Sequence, residues 1–180
     1  MVLFDVQGQL GTMASNTVRF ILNGRVMEAE VVDPTRTVLQ FVREDLRLTG
    51  SKEGCAEGDC GACTVVLVEL NRNGDDVVLR SVNSCIQFLP TLDGKELLTV
   101  ESLARDDSLH PVQQAMVDQH GSQCGFCTPG FVMSLFALYK TDPHPSRRAI
   151  DDALAGNLCR CTGYRPIVAA AEAMYDAEAD

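Results

Sequence analysis

The chain has 180 residues, 46% of them apolar, with a formal net charge of −10, which is material for one moderate core or two small ones. The acidic balance excludes nucleic acid as the expected partner, because binding a phosphate backbone needs clustered Lys and Arg that release counterions. The longest apolar run, Phe131 to Tyr139, contains Ser134 and falls well short of the ~20 residues of a membrane helix, so a soluble protein is expected.

Residues 1–16 lack the basic start, apolar stretch and small-residue cleavage site of a secretory signal. With Gly8, Gly11, Ser15 and Asn16 they read as a flexible N-terminal arm, and Met13 offers an alternative start. Val18, Phe20 and Leu22 then alternate before Asn23-Gly24, and Arg25 to Val31 follows: two strands joined by a two-residue hairpin turn. Asp33-Pro34 breaks the pattern. Thr37 with Gln40 three residues later forms a capping box before a helix of about Val38 to Leu46. Thr64 to Leu70 and Val77 to Val82 read as strands around Asn71-Arg72-Asn73-Gly74, with Glu96 to Val100 a last strand. A small mixed sheet covered by one helix fits this order.

Beyond Val100 the periodicity turns helical. Pro111 opens a helix to about Gln119; Thr128 is expected to cap a second that Pro129 starts and that runs to about Lys140. Thr141-Asp142-Pro143-His144-Pro145 links to a third helix capped by Ser146 and ended by Gly156, and an Ala-rich fourth follows Pro166 to about Ala177. Four helices would make a compact bundle. Phe131, Val132, Leu135, Phe136 and Tyr139 form its expected core stripe, although an exposed part could dock a partner.

The chemistry lies in eight cysteines: Cys55, Cys60, Cys63, Cys85, Cys124, Cys127, Cys159 and Cys161. Four disulfides would use the same number. Disulfides belong to exported chains, however, whereas these cysteines fall in tight CxxC and CxC groups set in glycine. Cys55, Cys60, Cys63 and the distant Cys85 have the plant-type ferredoxin spacing, in which three ligands come from one loop and the fourth from another segment. The loop from Gly50 to Cys63 carries glycines that permit positive φ and let backbone amides approach sulfur. For Cys124, Cys127, Cys159 and Cys161 alone, zinc remains a rival. These pairs fall just before two helices, whose N-terminal amides suit an anionic cluster. An oxidised [2Fe-2S] centre on four thiolates carries roughly −2, which nearby Lys52, Arg160 and Arg165 would partly offset.

The stretches KEGCAEGDCGACTV (Lys52 to Val65), GSQCGFCTPG (Gly121 to Gly130) and GNLCRCTGYRP (Gly156 to Pro166) resemble the iron–sulfur component of the xanthine dehydrogenase family of molybdenum hydroxylases. The resemblance covers about Thr17 to Tyr175. HPVQQAMVDQHGSQCGFCTPGF (His110 to Phe131) is most similar to the bacterial xanthine dehydrogenase branch; carbon monoxide, aldehyde and isoquinoline oxidising enzymes share the cysteine motifs.

The resemblance implies an α+β chain: a plant-ferredoxin-like β-grasp domain over 17–100, then an all-α four-helix bundle over 101–180. It implies two [2Fe-2S] clusters, one on Cys55, Cys60, Cys63 and Cys85 facing a flavin, the other on Cys124, Cys127, Cys159 and Cys161 next to a molybdenum-pterin. Gln123 and the sulfur of Cys161 match positions that contact the pterin; the plain alternative for Gln123 is a polar loop residue. The implied role is cytoplasmic electron relay during xanthine or hypoxanthine hydroxylation, with no catalytic residue of its own and with molybdenum-pterin and FAD on partner subunits or domains. No glycine-rich dinucleotide fingerprint follows a strand here. Arg160 and Arg165 could tune a cluster, bind a partner or stand solvated. His110, His120 and His144 are expected at caps or on the surface, since eight cysteines fill two four-ligand sites. A free-standing two-cluster carrier is the rival from another class.

Overall fold

A computed structural model describes residues 16–106 and 108–176. The expected arm lies, save for Asn16, outside the described residues, as does the end expected for the last helix at Ala177.

Strands β1 (Thr17–Leu22) and β2 (Arg25–Glu30) pair antiparallel. Asn23 and Gly24 take φ of 51° and 78°, the left-handed pair that a two-residue hairpin turn requires. Strands β3 (Thr64–Leu70) and β4 (Val77–Asn83) form a second antiparallel pair. Strand β5 (Glu96–Leu98) joins the two hairpins, parallel to β1 and antiparallel to β3, giving the order β2-β1-β5-β3-β4. It is shorter than expected because a 3-10 turn begins at Val100.

Helix α1 (Val38–Gln40) starts with the expected capping box: Thr37 Oγ1 accepts from Gln40 N at 3.2 Å, and Gln40 Oε1 accepts from Thr37 N at 3.0 Å. It does not continue as a regular helix to Leu46. From Phe41 to Asp45 it widens into a π turn, closed by Leu46 N donating to Phe41 O at 3.3 Å. Widened, the segment buries Val38, Leu39, Phe41 and Val42 together, and Phe41 meets Phe20 edge-on with ring centroids 6.0 Å apart.

Four helices follow: α2 (Pro111–Asp118), α3 (Thr128–Thr141), α4 (Arg147–Leu154) and α5 (Arg165–Ala173). Ser146 caps α4 as expected, its Oγ accepting from Ala149 N at 3.2 Å. The expected Thr128 cap is corrected. Phe131 N donates to Cys127 O at 3.2 Å, so Cys127 is the cap and Thr128 the first helical residue, its hydroxyl 2.8 Å from that of Ser122. His110 caps α2, Nδ1 accepting from Val112 N at 3.2 Å.

Strand period decides how the two parts meet. Successive β3 side chains point to opposite faces, and both faces are covered. Val65 and Leu67 enter the core shared with Val18, Phe20, Val38, Val42 and Leu97. Val66 points the other way, into the core built by Phe131, Met133, Leu135, Ile167 and Met174. Helix α3 is thus buried from Gly130 to Ala137, packed on β3 and β4 on one side and on α2 and α4 on the other. Each large side chain fully buried here contributes about 2 kcal/mol. Of the expected stripe, Phe131, Val132, Leu135 and Phe136 are buried and Tyr139 is half-buried.

Candidate metal centres

The loop before β3 is held open at both ends by its neighbours. In the π turn, Arg43 Nη1 donates to Ser51 O at 2.6 Å and Thr49 O at 3.2 Å; Gly50 N donates to Glu101 Oε1 at 2.7 Å, and Lys52 N to Ala62 O at 3.1 Å. Between these anchors Ala56, Gly58 and Gly61 take φ of 58°, 83° and 69°, which turns successive amides inward. Glu57 N, Asp59 N and Cys60 N donate to Cys55 Sγ at 3.5, 3.3 and 3.4 Å, and the Gly58 amide donates to Cys85. This is a concave set of N–H groups suited to an anion. The amides of Cys60, Glu57 and Asp59 bring the Cys55 thiol down to about 6.

Cys85 reaches the loop from the turn after β4. Ser84 fixes that turn, its Oγ donating to Cys63 O at 2.7 Å. Cys63 and Cys85 are buried together beside Leu39, and burial with the neighbouring Cys63 pushes the Cys85 thiol up to about 12. Within this quartet Cys60 lies beside Cys55 and Cys63 beside Cys85, and Cys55 also acts on Cys85.

The second quartet is built the same way at helix ends. Cys124 and Cys161 Sγ atoms lie 3.6 Å apart on the surface, and Cys127 pairs with Cys159 beneath them. Burial and the adjacent Cys159 push Cys127 up to about 12. Amide donation from Phe126 lowers Cys124. Cys159 is lowered despite its burial, by the hydroxyl and amide of Thr162 and the amide of Cys161; the Thr162 hydroxyl lies 3.2 Å from its sulfur.

The donor chemistry tests the fit of an iron–sulfur centre. A mononuclear site of four thiolates needs its sulfurs equidistant around one ion, with edges of ~3.7 Å for bonds of about 2.3 Å. The 3.6 Å Cys124–Cys161 separation matches one such edge, and each quartet brings four thiols together, two for each iron of a two-iron centre. Two metals bridged by sulfide suit that arrangement, and the loop amides suit the negative charge of the cluster.

The other residues singled out in the sequence divide. Gln123 is exposed beside Cys124. Arg160 and Arg165 are exposed, while Lys52 Nζ donates to Thr49 O at 2.5 Å. His110 is a half-buried cap, and His120 and His144 are exposed. Sequence reasoning missed the residues joining the quartets. Buried Asn157 spans from α3 to the first loop, Leu158 N donates to Cys60 O at 2.9 Å, and Cys159 N donates to Tyr164 Oη at 2.9 Å. Asn157 and Tyr164 stood inside the third cysteine motif, but nothing in the spacing marked them.

Comparison with known proteins matches this geometry. A model of the 2Fe-2S iron-sulfur cluster binding domain covers residues 20–88, and one of the [2Fe-2S] binding domain covers residues 99–172. Xanthine dehydrogenase of Emericella nidulans is 49% identical over 164 residues, 91% of this chain but only 12% of that protein. The aldehyde oxidoreductase structure from Desulfovibrio gigas superposes with TM-score 0.77 at 36% identity, covering 88% of this chain and 17% of that one. The quinoline 2-oxidoreductase structure from Pseudomonas putida 86 gives TM-score 0.73 at 32% identity, covering 91% of this chain and 98% of the matched chain. With two [2Fe-2S]-binding units in the order of these relatives, the chain belongs to the iron–sulfur components of the xanthine dehydrogenase family of molybdenum hydroxylases.

Proposed function

We propose that this chain is the electron relay of a molybdenum hydroxylase, with Cys55, Cys60, Cys63 and Cys85 ligating one [2Fe-2S] cluster and Cys124, Cys127, Cys159 and Cys161 the other. The observation that carries the reading is the pair of four-thiol quartets joined by a hydrogen bond between their own loops, Leu158 N to Cys60 O. Each cluster, when bound, takes up and releases one electron. The residues set the route. Cys124 and Cys161 are exposed and with Gln123 form the face for a molybdenum-pterin partner. The Cys60–Leu158 contact leads inward to the loop of Cys55 to Cys63. Ile86 and Phe88, exposed beyond Cys85, form the face toward FAD.

On this reading residues 17–100 are the plant-ferredoxin-like β-grasp unit and 101–180 the four-helix bundle, after an arm over 1–16. Packing of α2 on α3 and α5, and of α4 on α3 and α5, supports the bundle. The reaction served is hydroxylation of xanthine or hypoxanthine, xanthine being the substrate in the name of the Emericella relative. Molybdenum-pterin and FAD sit on partner subunits or further domains. Free, metal-ready thiols suit a reducing cytoplasm, and among the described residues no helix is long and apolar enough to cross a membrane.

Reconstitution tests this. The chain should hold about four iron and four sulfide and show two distinct EPR signals on reduction. A colourless protein holding zinc would overturn the reading. Copurification with a molybdenum subunit, and purine oxidation by that complex, tests the assembly and the substrate; a stable monomer that reduces varied acceptors would favour a free-standing carrier.

A further inference from the structure

Three backbone segments meet where the two ligand loops touch, and none of them has a side chain in the way. A Cβ on Gly130 of α3 would strike the Gly61 carbonyl, and one on Gly61 would strike the Gly156 carbonyl. Into this junction projects Asn157, 4% exposed. Its Nδ2 donates to Gly61 O at 3.0 Å and Thr64 Oγ1 at 3.1 Å, and its Oδ1 accepts from Ser134 Oγ at 2.7 Å. Thr64 Oγ1 in turn donates to Gly61 O at 2.7 Å. One carboxamide therefore ties the residue after Cys60, the start of β3 and the buried face of α3. It stands two residues before Cys159.

A buried amide destabilises the fold unless its polar atoms are paired, and here both the oxygen and the nitrogen are. The next residue in the chain, Leu158, has an exposed side chain but donates its amide to Cys60 O. Nothing in the apolar packing of Leu158 fixes that amide. Its position follows from the Asn157 clamp immediately before it.

We propose that Asn157 is a positioning residue for transfer between the two centres: its carboxamide holds the Leu158 amide on the Cys60 carbonyl, fixing the spacing of the two cysteine quartets. The inference rests on the quartets being [2Fe-2S] sites. The step it serves moves one electron, the centre on Cys124, Cys127, Cys159 and Cys161 being oxidised as the centre on Cys55, Cys60, Cys63 and Cys85 is reduced. Asn157 touches neither centre and acts through the backbone of its neighbour.

The test uses the full chain with both clusters loaded and reduced by dithionite, comparing wild type with Asn157→Ala and Ser134→Ala. Iron and sulfide content and the presence of two EPR signals in wild type check the underlying reading separately; without them that reading fails, whatever Asn157 does. Given a loaded protein, Asn157→Ala should exchange the Leu158 amide hydrogen about tenfold faster, as expected for loss of one buried hydrogen bond. The spin–spin splitting between the two reduced centres should also weaken. Full iron content with unchanged exchange and unchanged splitting would overturn the proposal. If Asn157→Ala does not load, Ser134→Ala decides. It removes the donor to Oδ1 and leaves the Nδ2 bonds, so exchange at Leu158 should rise several-fold with iron retained. Unchanged exchange in that variant would overturn the proposal too.

Discussion

The backbone amide of Cys159 donates to the Tyr164 phenol oxygen at 2.9 Å, closing the Cys159–Tyr164 loop across its own mouth. Tyr164 holds φ at +67° to do so and lays its ring edge-on to Phe131, centroids 6.1 Å apart. Tyr164→Phe keeps the ring contact and removes the acceptor. Stability in urea should fall by about 1 kcal/mol. The EPR signal of the centre on Cys124, Cys127, Cys159 and Cys161 should shift while the other stays put; no shift in either would mean that the phenol does not orient Cys159.

Gly54 lies against the Cys60 sulfur. A Cβ there would stand 2.7 Å from Cys60 Sγ, closer than carbon and sulfur can approach. Gly54→Ala should therefore lower iron incorporation at the first quartet, as Cys60→Ser should abolish its signal, with the second signal kept in both. Cys161→Ser should do the reverse. Loss of both signals from either cysteine variant would mean that the quartets do not load independently.

Gly130→Ala reverses a general expectation. Glycine inside a helix costs roughly 0.5–1 kcal/mol relative to alanine, so the substitution would stabilise an isolated α3. In the folded chain the new methyl meets the Gly61 carbonyl, a backbone atom that cannot swing aside. Destabilisation by about 1–3 kcal/mol is expected, measured as a lowered denaturation midpoint; a raised midpoint would show that the two loops separate freely.

His110 makes stability depend on acidity. Burial, with Lys140 and Arg105 nearby, takes its imidazole from 6.5 down to about 4, and Nδ1 must stay unprotonated to accept from Val112 N. The rings of Phe136 and Tyr139 face it edge-on at 5.1 and 5.2 Å. The unfolded chain thus binds the proton more readily. The contribution is full above pH 6.5 and is lost as pH falls from 6.5 to 4, by about 1–2 kcal/mol once partial solvation is allowed for. His110→Asn retains a capping side chain and removes the titration, so its stability should fall less steeply across that window; equal slopes would rule the imidazole out.

Local order was legible in the chain. The Asn23-Gly24 turn, the Thr37–Gln40 capping box and the Ser146 cap depend on residues within a few positions of one another, and each formed as expected. The regular helix to Leu46 and the Thr128 cap did not, because their outcome depends on what the segment packs against. Phe41 and Val42 are both drawn to the sheet, which widens the turn, and the Cys127 carbonyl starts α3 one residue early.

The plant-type spacing of Cys55, Cys60, Cys63 and Cys85 by itself named an iron–sulfur protein, because ligand loops are short and local; for Cys124, Cys127, Cys159 and Cys161 the spacing left zinc open, and the cluster came from the family resemblance. Tertiary structure decided the rest. That Cys85 reaches the first loop, and that Asn157 should cross from α3 to a loop 96 residues away at Gly61, depend on two cores packing back to back across β3. A long-range hydrogen bond leaves no periodicity in the sequence, so only the folded chain shows how the two quartets are held at a fixed spacing.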